Sequence, residues 1–302
     1  MSDLAAPVAP PARFDVGWGT AYERWAVYRL LGRWLSGWKV ESALEGPVDG
    51  MAGIPGLHLV PAAQAGAHVT VLVPTAEAAE TVLGVYRTLG LESRLTVSVG
   101  NELPRGDSFD LVLSFGATSL VDPWREYLEA CAACARRYLV VTVSHRASYG
   151  VFLRKALRLL ETGERQAELF DHPSADPSVL EPVLRRFGPI VEDSYVDCPW
   201  WPDLFVPAGE TLVSGTLGRL PLGRRFLRGA RTGPALSGEA FVYGPGKFPF
   251  LGGPGFVEEV SPALRRHPAF DRAPRVIAGL FAHHRVRVVA RADPARQEGG
   301  AS

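Results

Sequence analysis

Between residues 40 and 147, short apolar runs alternate with stretches whose apolar positions repeat every three to four residues. The runs VESALEG, HVTVLV, RLTVSVG, FDLVLSFG and YLVVTVSH are expected to be strands. Several are rich in β-branched residues, and the last is apolar almost throughout, as a strand buried on both faces must be. The intervening stretches read as helices. GLHLVPAAQAG tolerates Pro61 only near its first turn. TAEAAETVLGVYRTLG has Thr75 as its N-cap and Gly90 as its stop. DPWREYLEACAACARR has Asp122 as cap and Pro123 at its first position. Ahead of the first strand, TAYERWAVYRLLGRWLSGW places Tyr22, Trp25, Ala26, Leu30 and Trp34 at helical spacing. Thr20 and Glu23 have the spacing of a capping box.

Five apolar strands alternating with helices before residue 145 predict a parallel α/β sheet with helices on both faces. In such sheets the ligand crevice lies beyond the carboxyl ends of the strands. Further on, SYGVFLRKALRLLETGERQAELF and SVLEPVLRRFG read as helices, PIVEDSYVDC as a sixth strand and HHRVRVVARA as a last one. From Pro199 to about Gly255 prolines and glycines are dense, which predicts turn-rich chain. The expected organisation is a disordered leader (1–13), a Rossmann-like core (14–198), a lid or substrate insertion (199–282), the last core strand (283–292) and a disordered tail (293–302).

Composition narrows the function classes. The 302 residues carry 32 basic and 32 acidic side chains, so the basic excess of a nucleic-acid binder is missing. The arginines of GRLPLGRRFLRGAR read as a solvated face. Cys131 and Cys134 form C-x-x-C within a helix, but no second ligand pair follows at zinc spacing, so they are expected to be small buried residues with no metal. Cys198 stands alone. With no disulfide framework, signal peptide or membrane-length apolar run, a cytoplasmic protein without membrane partners is expected.

The stretch ALEGPVDGMAGIPG, residues 43–56, holds four glycines and two prolines between a strand and a helix. It lacks the GK[ST] of a phosphate-binding P-loop and the G-x-G-x-x-G of a dinucleotide site. A strand ending in an acid before a glycine-rich turn lets backbone approach a ligand closely. On Ala43-Leu44-Glu45, the turn from Gly46 to Gly53, and FDLVLSFGATSLVDPWREYLEACAACARRYLVVTVSH, the chain resembles class I S-adenosylmethionine-dependent methyltransferases. The resemblance covers about Val40 to Ala147 and the late strands.

That resemblance implies a doubly wound, seven-stranded α/β sheet whose sixth strand is parallel and seventh antiparallel, with a lid between them. It implies S-adenosylmethionine as cofactor, with Glu45 holding the methionine ammonium and Gly46, Gly50 and Gly53 shaping the turn. Phe115 at the end of the fourth strand and Tyr22 on the leading helix join this set. The sequence departs from the family at Pro47 and Asp49, which replace glycines. Val73 and Pro74 stand where an acid usually grips the ribose, leaving Thr75 a weaker hydrogen bond, and Asn101 replaces the aspartate that binds the adenine amine. Loss of one charged hydrogen bond weakens binding by roughly tenfold to a hundredfold.

With this topology, the end of the sixth strand and the start of the seventh meet at one rim. Trp200, Trp201 and Asp203 are therefore expected beside His283 and His284, with His145 from the fifth strand, in a substrate site. Histidine is the usual base near neutral pH, so His283 or His284 is expected to deprotonate a small-molecule acceptor, before His145. A fold-mate that binds a ligand without catalysis remains the alternative. A nicotinamide-dependent oxidoreductase is disfavoured by the missing dinucleotide motif.

Overall fold

The computed structural model describes residues 18–46, 56–100, 102–104, 109–153, 172–200 and 269–291. Helix α1 (Trp18–Leu35) precedes β1 (Ser42–Glu45), α2 (Val60–Gln64), β2 (His68–Val73), α3 (Ala76–Thr88) and β3 (Leu95–Val99). Then come β4 (Phe109–Phe115), α4 (Trp124–Cys134), β5 (Ala135–Ser144), α5 (Pro177–Phe187), β6 (Ile190–Val196), α6 (Arg275–Phe281) and β7 (His284–Ala290). These strands form one seven-stranded sheet in the order β3-β2-β1-β4-β5-β7-β6. The pairs from β3 to β5 are parallel, and β7 runs antiparallel to both its neighbours.

The two-residue period of the strands splits the core into two layers. Ala43, Val71, Leu113 and Phe115 face α1, α2 and α3, together with Tyr22, Leu30 and Tyr86. Leu44, Leu72, Val112 and Leu139 face the other way, onto Trp124, Leu128 and Leu180 of α4 and α5. Every residue of β4 is buried, which is why that run is apolar on both faces. Its exceptions are Ser114, which accepts the Tyr127 hydroxyl at 3.2 Å, and Asp110, which accepts hydrogen bonds from the Glu41 backbone (2.9 Å) and from Arg136 (2.6 and 3.0 Å).

Local signals act as expected at α3, where Thr75 Oγ1 accepts from Ala78 N at 3.1 Å and Gly90 follows the last turn with φ +68°. Three expectations change. Helix α1 begins at Trp18, so Thr20 lies inside it and Glu23 is not part of a capping box. Helix α4 starts one residue later than expected, with Pro123 at the N-cap and a cis Asp122–Pro123 peptide. It also stops at Cys134, because Arg136 turns onto Asp110 as β5 begins.

The described end of the expected lid segment packs against core elements. Asp271 accepts the Tyr22 hydroxyl, Arg275 pairs with Asp193 of β6, and Gly279 lies against Tyr195 so closely that a Cβ there would meet its ring at 2.9 Å. Residues 201–268, with the basic stretch GRLPLGRRFLRGAR, lie outside the described residues, as does most of the helix expected over 148–170. Cys131 and Cys134 are buried free thiols on α4, and burial pushes the Cys131 thiol up to about 12. No described helix is long and apolar enough to cross a membrane.

Candidate functional site

Glu45 ends β1 at the carboxyl rim of the sheet, level with Leu113 of β4. It is fully buried, and both its oxygens are engaged. Oε1 lies 2.8 Å from His58 Nδ1, and Oε2 accepts the Leu59 backbone N–H at 3.2 Å. The chain reaches His58 through a turn at Gly56, where φ is +81° and a Cβ would come within 2.2 Å of Val71 Cγ1. Only glycine suits that conformation and that approach. The Tyr28 hydroxyl donates to the Leu57 carbonyl and the Tyr86 hydroxyl to the Gly56 carbonyl, so α1 and α3 both pin the turn. Beyond Glu45, a Cβ on Gly46 would meet the Tyr127 hydroxyl at 2.9 Å.

A second polar group lies where β6 ends and β7 begins. Asp197 takes φ +56°, and its carbonyl accepts the His283 N–H at 2.8 Å. The His283 carbonyl in turn accepts the His145 N–H at 2.8 Å, so the ends of β5 and β6 are stitched to the start of β7. Two histidine–carboxylate pairs result, the first buried and the second partly buried. His283 Nδ1 lies 2.8 Å from Asp197 Oδ2, and His284 Nε2 lies 2.9 Å from Glu23 Oε2 on α1.

Phe115 divides the two groups. Its ring stacks on His58 with centroids 4.0 Å apart and tilts against His284 at 5.3 Å. Glu23 is penalised by burial, but the hydrogen bond and charge of His284 outweigh this and hold its carboxyl below the usual range. Asp197 goes the other way: burial, aided by the Glu23 charge, pushes it up to about 6 against the pull of His283. One atom of each of Glu23, Asp197 and His284 lies within 4.8 Å of the others, a donor set able to hold a metal ion. His58 Nε2 and Asp197 Oδ1 are among the buried side-chain atoms left without a hydrogen-bond partner.

The parallel run β3-β2-β1-β4-β5, closed by β7 antiparallel between β5 and β6, with an acid–glycine pair ending β1, is the arrangement that the resemblance implies. This strand order is that of the class I methyltransferase fold. No family model and no curated protein matches the chain. Among solved structures, it is similar to magnesium protoporphyrin IX methyltransferase from Synechocystis PCC 6803 with bound SAH. The identity is 16% and the TM-score 0.47, over 58% of this chain and 77% of that one. It is similar to the cyclase SpnF at 16% identity and TM-score 0.45, over 93% and 88% of the two chains. A third likeness is to a possible histamine N-methyltransferase from Thermotoga maritima, at 15% identity and TM-score 0.38, over 58% and 74%.

Within this fold the expected site residues fall into distinct places. Glu45, Phe115, His283 and His284 gather along one buried line at the rim. Glu45 does not present a free carboxylate, because His58 and Leu59 occupy it. Thr75 is exposed and spends its oxygen as the α3 cap, and Val73 beside it is fully buried. Tyr22 is buried, with its hydroxyl committed to Asp271 and its pKa raised by burial and by that carboxylate.

His145 stands apart from the line, with its ring against Tyr195. Burial, the Arg285 charge and Arg287 lower its pKa to about 4, so it is neutral at pH 7 and a weak base. The Trp200 carbonyl accepts the Tyr149 hydroxyl at the same end of the sheet. Gly50, Gly53, Asn101, Trp201 and Asp203 lie outside the described residues.

Sequence reasoning missed Glu23, His58 and Asp197. Glu23 carried a capping signal, and Asp197 closes the sixth strand in YVDC. His58 follows the glycine turn directly, which was the available signal for it.

Proposed function

We propose that this chain is an S-adenosylmethionine-dependent methyltransferase acting on a small-molecule acceptor. The observation that carries the reading is the buried, unpartnered His58 Nε2 beside Glu45 at the end of β1. With Nδ1–H donated to Glu45, Nε2 holds the lone pair and can accept a hydrogen bond. That chemistry fits an ammonium group, so Glu45 acts on the cofactor's amino-acid end through His58 rather than directly. Gly46 and Phe115 would border the same end.

Bound there, the cofactor supplies an electrophilic methyl group. The chain's own task is to orient the acceptor and remove its proton. His283 is suited to the second part. Its Nδ1–H points to Asp197, which fixes the tautomer with the basic lone pair on Nε2 and stabilises the imidazolium once the acceptor's proton arrives. His145, with its pKa lowered to about 4, is not the base.

A second reading is a ligand-binding protein of the same fold without methyl transfer. It is favoured by the end of β2, where Val73 is buried and Thr75 is a helix cap, so no described carboxylate awaits a ribose. Calorimetric titration with S-adenosylmethionine and S-adenosylhomocysteine separates the two. Micromolar binding that falls at least about tenfold in His58→Phe supports the methyltransferase reading. No binding at millimolar ligand abandons it for the second.

A further inference from the structure

We propose that Glu23, Asp197 and His284 form a binding site for one divalent first-row transition-metal ion, placed between α1 and the junction of β6 and β7. The proposal stands whether or not the chain transfers methyl groups.

The three residues come from positions 23, 197 and 284, so no ligand spacing along the chain announces them. The fold brings one atom from each within 4.8 Å of the others, with Asp197 and His284 buried and Glu23 partly so. The His284 Nε2 to Glu23 Oε2 separation of 2.9 Å matches two adjacent ligands of an octahedral ion. Bonds of about 2.1 Å at right angles put their ends about 3.0 Å apart. The widest span, at most 4.8 Å, needs to close by no more than about 0.6 Å to equal the roughly 4.2 Å of two opposite ligands.

An independent observation points to a missing occupant. Asp197 is 3% exposed, and its Oδ2 is bonded to His283, yet its Oδ1 has no hydrogen-bond partner. A buried carboxylate oxygen normally finds a donor or a cation. An ion held through Oδ1 would leave the His283 bond in place. That is the usual arrangement in which a metal-bound group is oriented by a second hydrogen bond.

The donor set selects the ion. Two carboxylates and one imidazole suit Mn²⁺, Fe²⁺ or Zn²⁺. Mg²⁺ and Ca²⁺ prefer all-oxygen shells and gain little from His284. The ion takes the place now held by the proton between His284 and Glu23. That proton moves to the other ring nitrogen or, from an imidazolium, leaves to solvent.

The test uses the full-length protein after chelator dialysis, titrated with Mn²⁺ and with Zn²⁺, with Mg²⁺ and Ca²⁺ as controls. One equivalent of Mn²⁺ or Zn²⁺ per chain is expected, with a higher melting temperature. Affinity should fall at least about tenfold in each of Glu23→Gln, Asp197→Asn and His284→Gln, checked for folding by circular dichroism. A wild-type measurement guards against variants that fail to fold. Electron spin-echo modulation of the Mn²⁺-loaded protein should show coupling to a histidine nitrogen. No stoichiometric uptake, uptake unchanged in all folded variants, or bound Mn²⁺ without nitrogen coupling would each overturn the site.

Discussion

Asp197 Oδ2 lies 2.8 Å from His283 Nδ1, and both residues are buried where β6 hands over to β7. The pair joins two positions 86 residues apart. In His283→Ala the Asp197 carboxylate loses its remaining hydrogen-bond partner among the described side chains, at a cost of about 3 kcal/mol. On any acceptor that supports turnover, the rate should fall at least about a hundredfold, the usual worth of a general base, with S-adenosylhomocysteine affinity within about twofold. Turnover within threefold of wild type would remove His283 from the mechanism.

Glu45 and His58 make the corresponding prediction for the cofactor. Glu45→Gln keeps the size of the side chain but removes the charge that orients His58. Affinity for S-adenosylmethionine should drop roughly tenfold, the equivalent of one charged hydrogen bond. Asp110→Asn at the opposite end of the sheet, where Arg136 is the partner, should leave affinity unchanged. Calorimetry on the two variants, side by side, tells a local loss from general destabilisation.

At Gly56 the turn before His58 combines φ +81° with a 2.2 Å approach to Val71. Gly56→Ala should therefore cost about 3 kcal/mol, part from backbone strain and part from overlap. Adding Val71→Ala removes the overlap but not the strain. The urea midpoint of the double variant should lie above the value expected from adding the two single losses. Strict additivity would mean that the contact with Val71 does not matter.

Asp193 on β6 carries an acid-side contribution to stability. Burial raises its pKa, but the hydrogen bonds and charge of Arg285, with the charge of Arg275, outweigh this and hold it below the usual carboxylate range. A carboxyl depressed in the folded state stabilises fully above its unfolded pKa of about 3.9 and loses that contribution as pH falls through the folded value. Urea melts of wild type and Asp193→Asn should differ at pH 6, and the difference should shrink as pH falls below the unfolded carboxyl value of about 3.9 and through the lower folded one. A constant difference across that range would assign the effect to packing instead.

Much of the fold was legible because strands and caps are local. His68–Val73 was readable from alternation and β-branching, and Thr75 from the short polar residue ahead of an apolar period. Of the four glycines in 43–56, Gly56 and Gly46 are described, and they lie close against Val71 and Tyr127. Helix starts were less secure. Thr20 and Glu23 have capping spacing, yet α1 begins two residues earlier and Glu23 turns inward to His284, since a long-range charged hydrogen bond outweighs a local cap.

By itself the sequence determined the alternation of strands and helices and the parallel sheet, because periodicity and turn residues act over a few positions. Only the tertiary structure decided the partners: Glu45 with His58, Glu23 with His284, Asp197 with His283, and His145 turned aside toward Tyr195. Those pairings depend on which strand ends lie side by side. The order β5-β7-β6 places His284 opposite both Ser144 and Val196, a relation that no local pattern in the chain encodes.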